Sequence, residues 1–152
     1  MRHHPTVAKA VNAVGIAHPI STIWNNEIAS PALTNIRILY NDGGARSWPS
    51  IRLRKTSSIK VGDVLDAIYE YFQTPLTQQE VSRLQGMGLP LLRTMQRRVQ
   101  QSLNIPSAEW RQGYKRIDSL GENYYFVGLR LMPNQNAGDT VTLDLVVADR
   151  IS

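Results

Sequence analysis

Apolar and polar residues alternate toward both ends of the chain, and apolar residues recur at helical spacing between them. Residues 35–40 place Ile36, Ile38 and Tyr40 on one face, as a half-buried strand requires. Residues 50–55 repeat the pattern, with Ile51 and Leu53 facing one way and Arg52 and Arg54 the other. The intervening Asn41, Asp42, Gly43 and Gly44 read as a turn, so the two strands predict a hairpin. A shorter extended segment is predicted over 20–24. Near the C-terminus, residues 114–120 and 124–131 read as strands around a loop at Gly121, Glu122 and Asn123. Tyr125, Val127, Leu129 and Leu131 form one apolar face. A last strand over 140–148 turns Val141, Leu143, Leu145 and Val147 inward.

The middle of the chain is helical. Val61, Val64, Leu65, Ile68 and Phe72 form one apolar stripe over 61–73, with Asp63 in the first turn where the helix dipole favours an acid. Thr74 and Pro75 end that helix. Thr77 and Glu80 form a capping box that starts a second, shorter helix, broken near Gly86 and Gly88. A third begins at Pro90, with Leu92, Met95, Val99 and Leu103 read as its buried face. Strands, then helices, then strands predict an α+β fold: an antiparallel sheet of about five strands with two to three helices packed on one face. Residues 1–17 read as a flexible lead-in and 18–152 as a single α+β domain.

Composition narrows the function classes. The 152 residues include no cysteine, which excludes disulfides and thiolate metal sites and favours an intracellular setting, cytoplasmic or nuclear. No stretch approaches the ~20 apolar residues of a membrane helix. The N-terminal apolar runs are split by Lys9 and Asn12, unlike a signal peptide, and no Asn-x-Ser/Thr acceptor occurs. Net charge is +5, unevenly spread. Residues 1–60 hold eight bases and two acids, residues 61–76 three acids alone, and residues 77–120 seven bases and three acids.

That basic character points to anionic partners. Arg93, Arg97 and Arg98 on the third helix and Arg52 and Arg54 on a strand's outer face form a phosphate-binding stripe if the two surfaces adjoin. Tyr40, Trp110 and Tyr114 would then offer rings for stacking bases. Histidine and carboxylates are the other candidates. His18 is the one histidine in the patterned region, and Asp63 and Asp118 sit in its most regular motifs. Asp63 is accounted for by the helix start, and Asp118 by pairing with Arg116 or Arg130. No phosphate loop, nucleophile elbow or His-Glu-x-x-His helix is present, so no cofactor and no metal are expected. Trp24 and Trp48 read as core residues; either one, or Trp110, would mark a protein contact if exposed.

A train of short motifs adds to this reading: His18-Pro19 with Ile23-Trp24, Ile36-Arg37-Ile38, Trp48-Pro49-Ser50-Ile51, residues 59–68 from Ile59 to Ile68, Arg116-Ile117-Asp118-Ser119-Leu120, and Phe126-Val127-Gly128-Leu129. In this order and spacing the chain resembles the domain of unknown function 6699 family of mushroom-forming fungi. The resemblance spans about 18–147 and implies a shared fold and a fungal, intracellular setting, but no activity. Asn25 and Lys60 stand where the family often has Asp and Thr. A lysine side chain cannot accept an amide hydrogen bond, so the cap at Lys60 is expected to shift or go unmade. Three readings stay open: a non-enzymatic protein-interaction module, which is favoured; a nucleic-acid-binding domain using Arg52, Arg54, Arg93, Arg97 and Arg98; and a hydrolase or nuclease around His18 and Asp118.

Overall fold

The first long helix, α1 (Val61–Gln73), shows how this chain builds its core. Its stripe of Val64, Leu65, Ile68 and Phe72 is buried, each such side chain contributing about 1.5–3 kcal/mol relative to exposure. Lys60 holds the N-cap position and, as its chemistry requires, makes no side-chain cap bond. The exposed amides of the first turn are satisfied from elsewhere. Val61 N–H donates to the Asn26 carbonyl and Gly62 N–H to the Trp24 carbonyl, both at 2.9 Å, while Asp63 Oδ2 accepts from Lys60 N–H at 2.8 Å. Lys55 Nζ closes the arrangement on both Asp63 oxygens, at 2.9 and 2.8 Å. Burial pushes the Asp63 carboxyl up, but these bonds outweigh it and hold the group below its ordinary value. The segment expected as a strand over 20–24 is therefore, over residues 22–25, a turn that caps α1 (Asn26 N–H to Ile23 C=O, 2.9 Å).

This computed structural model describes residues 9–11, 17–19, 22–29, 31–41, 45, 47–121, 125–133 and 138–148. His3, His4, most of the two turns expected at 41–44 and 121–123, and the remainder of the lead-in lie outside them. Two short strands, β1 (Lys9–Val11) and β2 (Ala17–Pro19), pair antiparallel with Ala10 opposite His18.

Among the described residues the main sheet is mixed and has four strands, β3 (Asn35–Leu39), β4 (Ile51–Arg54), β5 (Tyr125–Leu131) and β6 (Val141–Ala148), in the order β4-β3-β6-β5. This corrects the expected antiparallel sheet of about five strands. The pairs β3–β4 and β5–β6 are antiparallel. The first is the hairpin expected; the second corrects the hairpin expected between 114–120 and 124–131, since β5 pairs with β6 instead. The two pairs join through β3 and β6, which run parallel with Ile36 beside Val141 and Ile38 beside Leu143. Asn35 Nδ2 donates to Thr140 Oγ1 at 2.8 Å and pins that register.

Among the described residues four α-helices, more than the two to three expected, join this sheet: α1, α2 (Gln78–Gly86), α3 (Leu91–Gln101) and α4 (Pro106–Arg111). The core unites Ile36, Ile38, Ile51 and Leu145 of the sheet with Val64, Ile68, Phe72, Leu84 and Leu91 of the helices. Trp48 is buried in it, stacked on Tyr40 and edge-on to Tyr71, with the Arg116 guanidinium over both Trp48 and Tyr71.

Two strand expectations fail locally. Residues 114–115 run extended beside Thr74–Leu76, but Arg116–Leu120 is a 3-10 helix. Asp118 makes the difference: its carboxylate takes the Lys115 N–H at 2.8 Å and its own N–H bonds the Lys115 carbonyl, so local bonds hold a tight turn instead of a ladder. In β5, a bulge inserts Val127 between Phe126 and Gly128. Alternation shifts there, so Phe126 and Leu129 pack on the core while Val127 is exposed; Leu131, at the end of the strand, is exposed as well.

Two glycines give a matched test. A Cβ built on Gly62 would overlap the Trp24 indole, whereas one on Gly86 meets nothing. Gly62→Ala is expected to cost about 1–3 kcal/mol, because displacing the indole outweighs the helix propensity gained. Gly86→Ala should gain about 0.4–1 kcal/mol. Urea midpoints measure both, and equal midpoints would show that Trp24 yields without cost.

Candidate interaction surface

α3 carries most of the candidate residues, and its inward face is set by Leu91, Thr94, Met95 and Val99. Arg98 lies in the same sector, seven residues after Leu91 and three after Met95. It points inward accordingly. Its Nε and Nη2 donate to the two oxygens of Asp118 at 2.9 and 3.0 Å, its Nη1 to Glu109 at 2.8 Å, and Nη2 also to the Gly113 carbonyl at 2.9 Å. Gly113 supplies that carbonyl from a left-handed backbone (φ 68°) just past α4, where glycine is the favoured residue. Asp118 is only 3 % exposed and Glu109 only 4 %. Asn104 Nδ2 donates to Glu109 at 2.7 Å, Lys115 Nζ lies 3.5 Å from it, and Thr94 Oγ1 donates to the Asp118 carbonyl at 2.7 Å. The bond from Asn104 holds the Glu109 carboxyl below its ordinary value; burial opposes this, and Lys115 and Arg98 add to it.

A mostly enclosed arginine, a buried lysine and two buried carboxylates thus join α3, α4 and the 3-10 helix. Asp118 pairs with Arg98, correcting the expected pairing with Arg116 or Arg130; Arg130 bonds Asp144 at 2.6 Å instead. An acid bound in this way anchors structure. The side chain of His18 lies outside the described parts of the structure, and no group of three or more potential ligands gathers for a metal among the described residues.

The other basic candidates fall in two separate places. Arg52 and Arg54 are exposed on the sheet face opposite Ile51, and β4 packs on β3 and α1. Arg93 and Arg97 line a cleft of about 190 Å³ on α3 with Gln96 and Gln100, and α3 packs on α2, α4 and the 3-10 helix. Arg98 is turned inward on Asp118 and Glu109 instead. Of the rings offered for stacking, Tyr40 is buried against Trp48 and Phe72.

What sequence reasoning missed is the surface around α4. Leu92 and Leu103, read as buried, are 50 % and 98 % exposed; Ile105 is 71 % and Trp110 44 % exposed. Among the three tryptophans, Trp48 is buried and Trp24 half-buried over Gly62, which leaves Trp110 the most accessible. Between residues 100 and 112, Glu109 alone is buried, so the outer segment is held through that carboxylate. No described helix is long and apolar enough to cross a membrane.

Neither the curated proteins nor the solved structures include a significant match to this chain. The model for a family of unknown function (DUF6699) matches residues 1–140, all of the elements just described except β6, and the chain belongs to that family.

Proposed function

We propose that this domain is a non-enzymatic protein-interaction module whose docking face is the α3–α4 corner. The supporting observation is the exposure of Leu103, Ile105 and Trp110 within eight consecutive residues that a buried carboxylate holds in place. Isolated exposed apolar side chains are ordinary on any surface, but a leucine, an isoleucine and a tryptophan exposed within eight residues concentrate apolar area on one outer segment. Tryptophan is also the residue type most enriched among side chains that dominate binding energy. Rigidity matters equally, since a face already ordered loses less entropy when a partner arrives.

The test is a triple variant, Leu103→Ser, Ile105→Ser and Trp110→Ala. Ile105 is the N-cap of α4, where serine is favoured, so the helix should not suffer. Each change is at the surface, and stability should move by about 0.5 kcal/mol or less per site. The native chain, used as affinity bait in a lysate of its source, should capture partners that the variant loses. Capture of the same proteins by both would remove this face from the reading.

A further inference from the structure

We infer that the partner presents an acidic amphipathic segment, with carboxylates seated in the Arg93–Arg97 cleft and apolar side chains on Leu103, Ile105 and Trp110. This rests on the interaction reading above and specifies its partner.

Charge is the first ground. Between Glu80 and Asp118 the sequence holds one acid, Glu109, and it is turned inward. Arg98 and Lys115 are bonded to it, while Arg83, Arg93 and Arg111 are exposed and Arg97 is half-buried. The outward charges contributed by this stretch are therefore all positive. Continuity is the second ground. On α3, Arg93, Arg97 and Gln100 follow one another at i, i+4 and i+7, and Leu92 and Gln96 form the adjoining row. Leu103 follows Gln100 by three residues, just past the end of α3 at Gln101, so the apolar residues begin within about 11 Å of the cleft's last residue. Ligand chemistry is the third. The cleft is lined by two guanidiniums and two carboxamides, all able to donate to a carboxylate, and arginine does so through a two-pronged fork. A nucleic acid would engage the arginines and stack on Trp110, but it has no matching use for Leu92, Leu103 and Ile105. The aliphatic share of the surface favours a peptide.

The probe is a dye-labelled peptide with Leu and Phe at helical spacing and Glu at the remaining positions, followed by fluorescence anisotropy with the full chain. Two controls accompany it: the same peptide with Gln for Glu, and a labelled oligothymidylate. The acidic peptide is expected to bind, to weaken as salt is added, and to lose about tenfold or more in affinity with Arg93→Glu and Arg97→Glu together. Leu103→Ser with Trp110→Ala should cost a similar factor. Circular dichroism checks that the variants fold; Arg93→Gln with Arg97→Gln replaces the charge reversal if it does not. If the Gln peptide binds as tightly as the Glu peptide, and only the Leu103 and Trp110 changes weaken it, the acidic assignment is wrong while the docking face stands. Binding of neither peptide overturns the inference, and so does retention of the oligonucleotide, through Arg93 and Arg97, in place of the peptide.

Discussion

Arg98→Ala is expected to remove about 3–5 kcal/mol of stability, because it leaves two carboxylates buried beside a lost partner. A domain of this kind is stable by about 5–15 kcal/mol in all, so the variant should be marginally folded at best. The size of the effect follows from geometry. The side chain is mostly enclosed, and its fork engages both Asp118 oxygens, one Glu109 oxygen and the Gly113 carbonyl within 2.8–3.0 Å. Its worth therefore lies less in net attraction than in the cost of stranding Asp118 and Glu109. Arg97→Ala is the control, one residue away with the same charge lost. It should cost less, about 1 kcal/mol, because Arg97 is only half-buried. Urea unfolding of the three proteins at neutral pH measures this, and similar midpoints for both variants would show that the buried network is dispensable.

The same residue marks where the sequence was readable and where it was not. α1 was legible to the residue because its apolar stripe is unbroken: Val64, Leu65, Ile68 and Phe72 admit one inward face. α3 was not. Reading Leu92, Met95, Val99 and Leu103 as its buried face turned the helix by about one residue, which put Leu92 and Leu103 inside and Arg98 outside. The true face of Leu91, Thr94, Met95, Arg98 and Val99 includes a threonine and an arginine, which a count of apolar residues discards. The signal was Arg98 itself, at helical spacing from Leu91 and Met95, with Glu109 and Asp118 downstream as acids able to receive it. The β3–β4 hairpin was also legible, since it is set by alternation around a turn; β5–β6 was not, because the hairpin read at 121–123 needed a strand where Asp118 holds a 3-10 helix. The joining of the two pairs through parallel β3 and β6 was not legible either, because local pattern does not say which strands of two pairs meet. At Lys60 the missing cap was foreseen from lysine chemistry. Its replacement by carbonyls of Trp24 and Asn26 was not, because those residues lie more than thirty positions away.

Glu109→Gln is expected to cost about 2–4 kcal/mol, the second largest effect, with a consequence for the docking face. The substitution keeps the shape of the side chain but removes a charge that meets Arg98, Lys115 and Asn104 at once. Because the folded protein holds this carboxyl below its ordinary value, its contribution is fully present above the unfolded value, about pH 4.3. It is lost as pH falls through the lowered folded value. The gap between native and variant should therefore be constant from about pH 5 to 7 and close as the solution becomes more acid. Asp63 and Glu80 are lowered too, so the variant keeps part of the native acid sensitivity. The distinguishing readout is local. α4 and the segment joining it to α3 are exposed apart from Glu109 and Ser102, so amide exchange across 103–112 should accelerate in Glu109→Gln beyond what the global loss explains. An ordered face binds at lower entropic cost, so the acidic peptide should bind this variant more weakly, although no residue of the face has changed. Unaltered exchange across α4 at neutral pH would show that the corner is held by something other than this carboxylate.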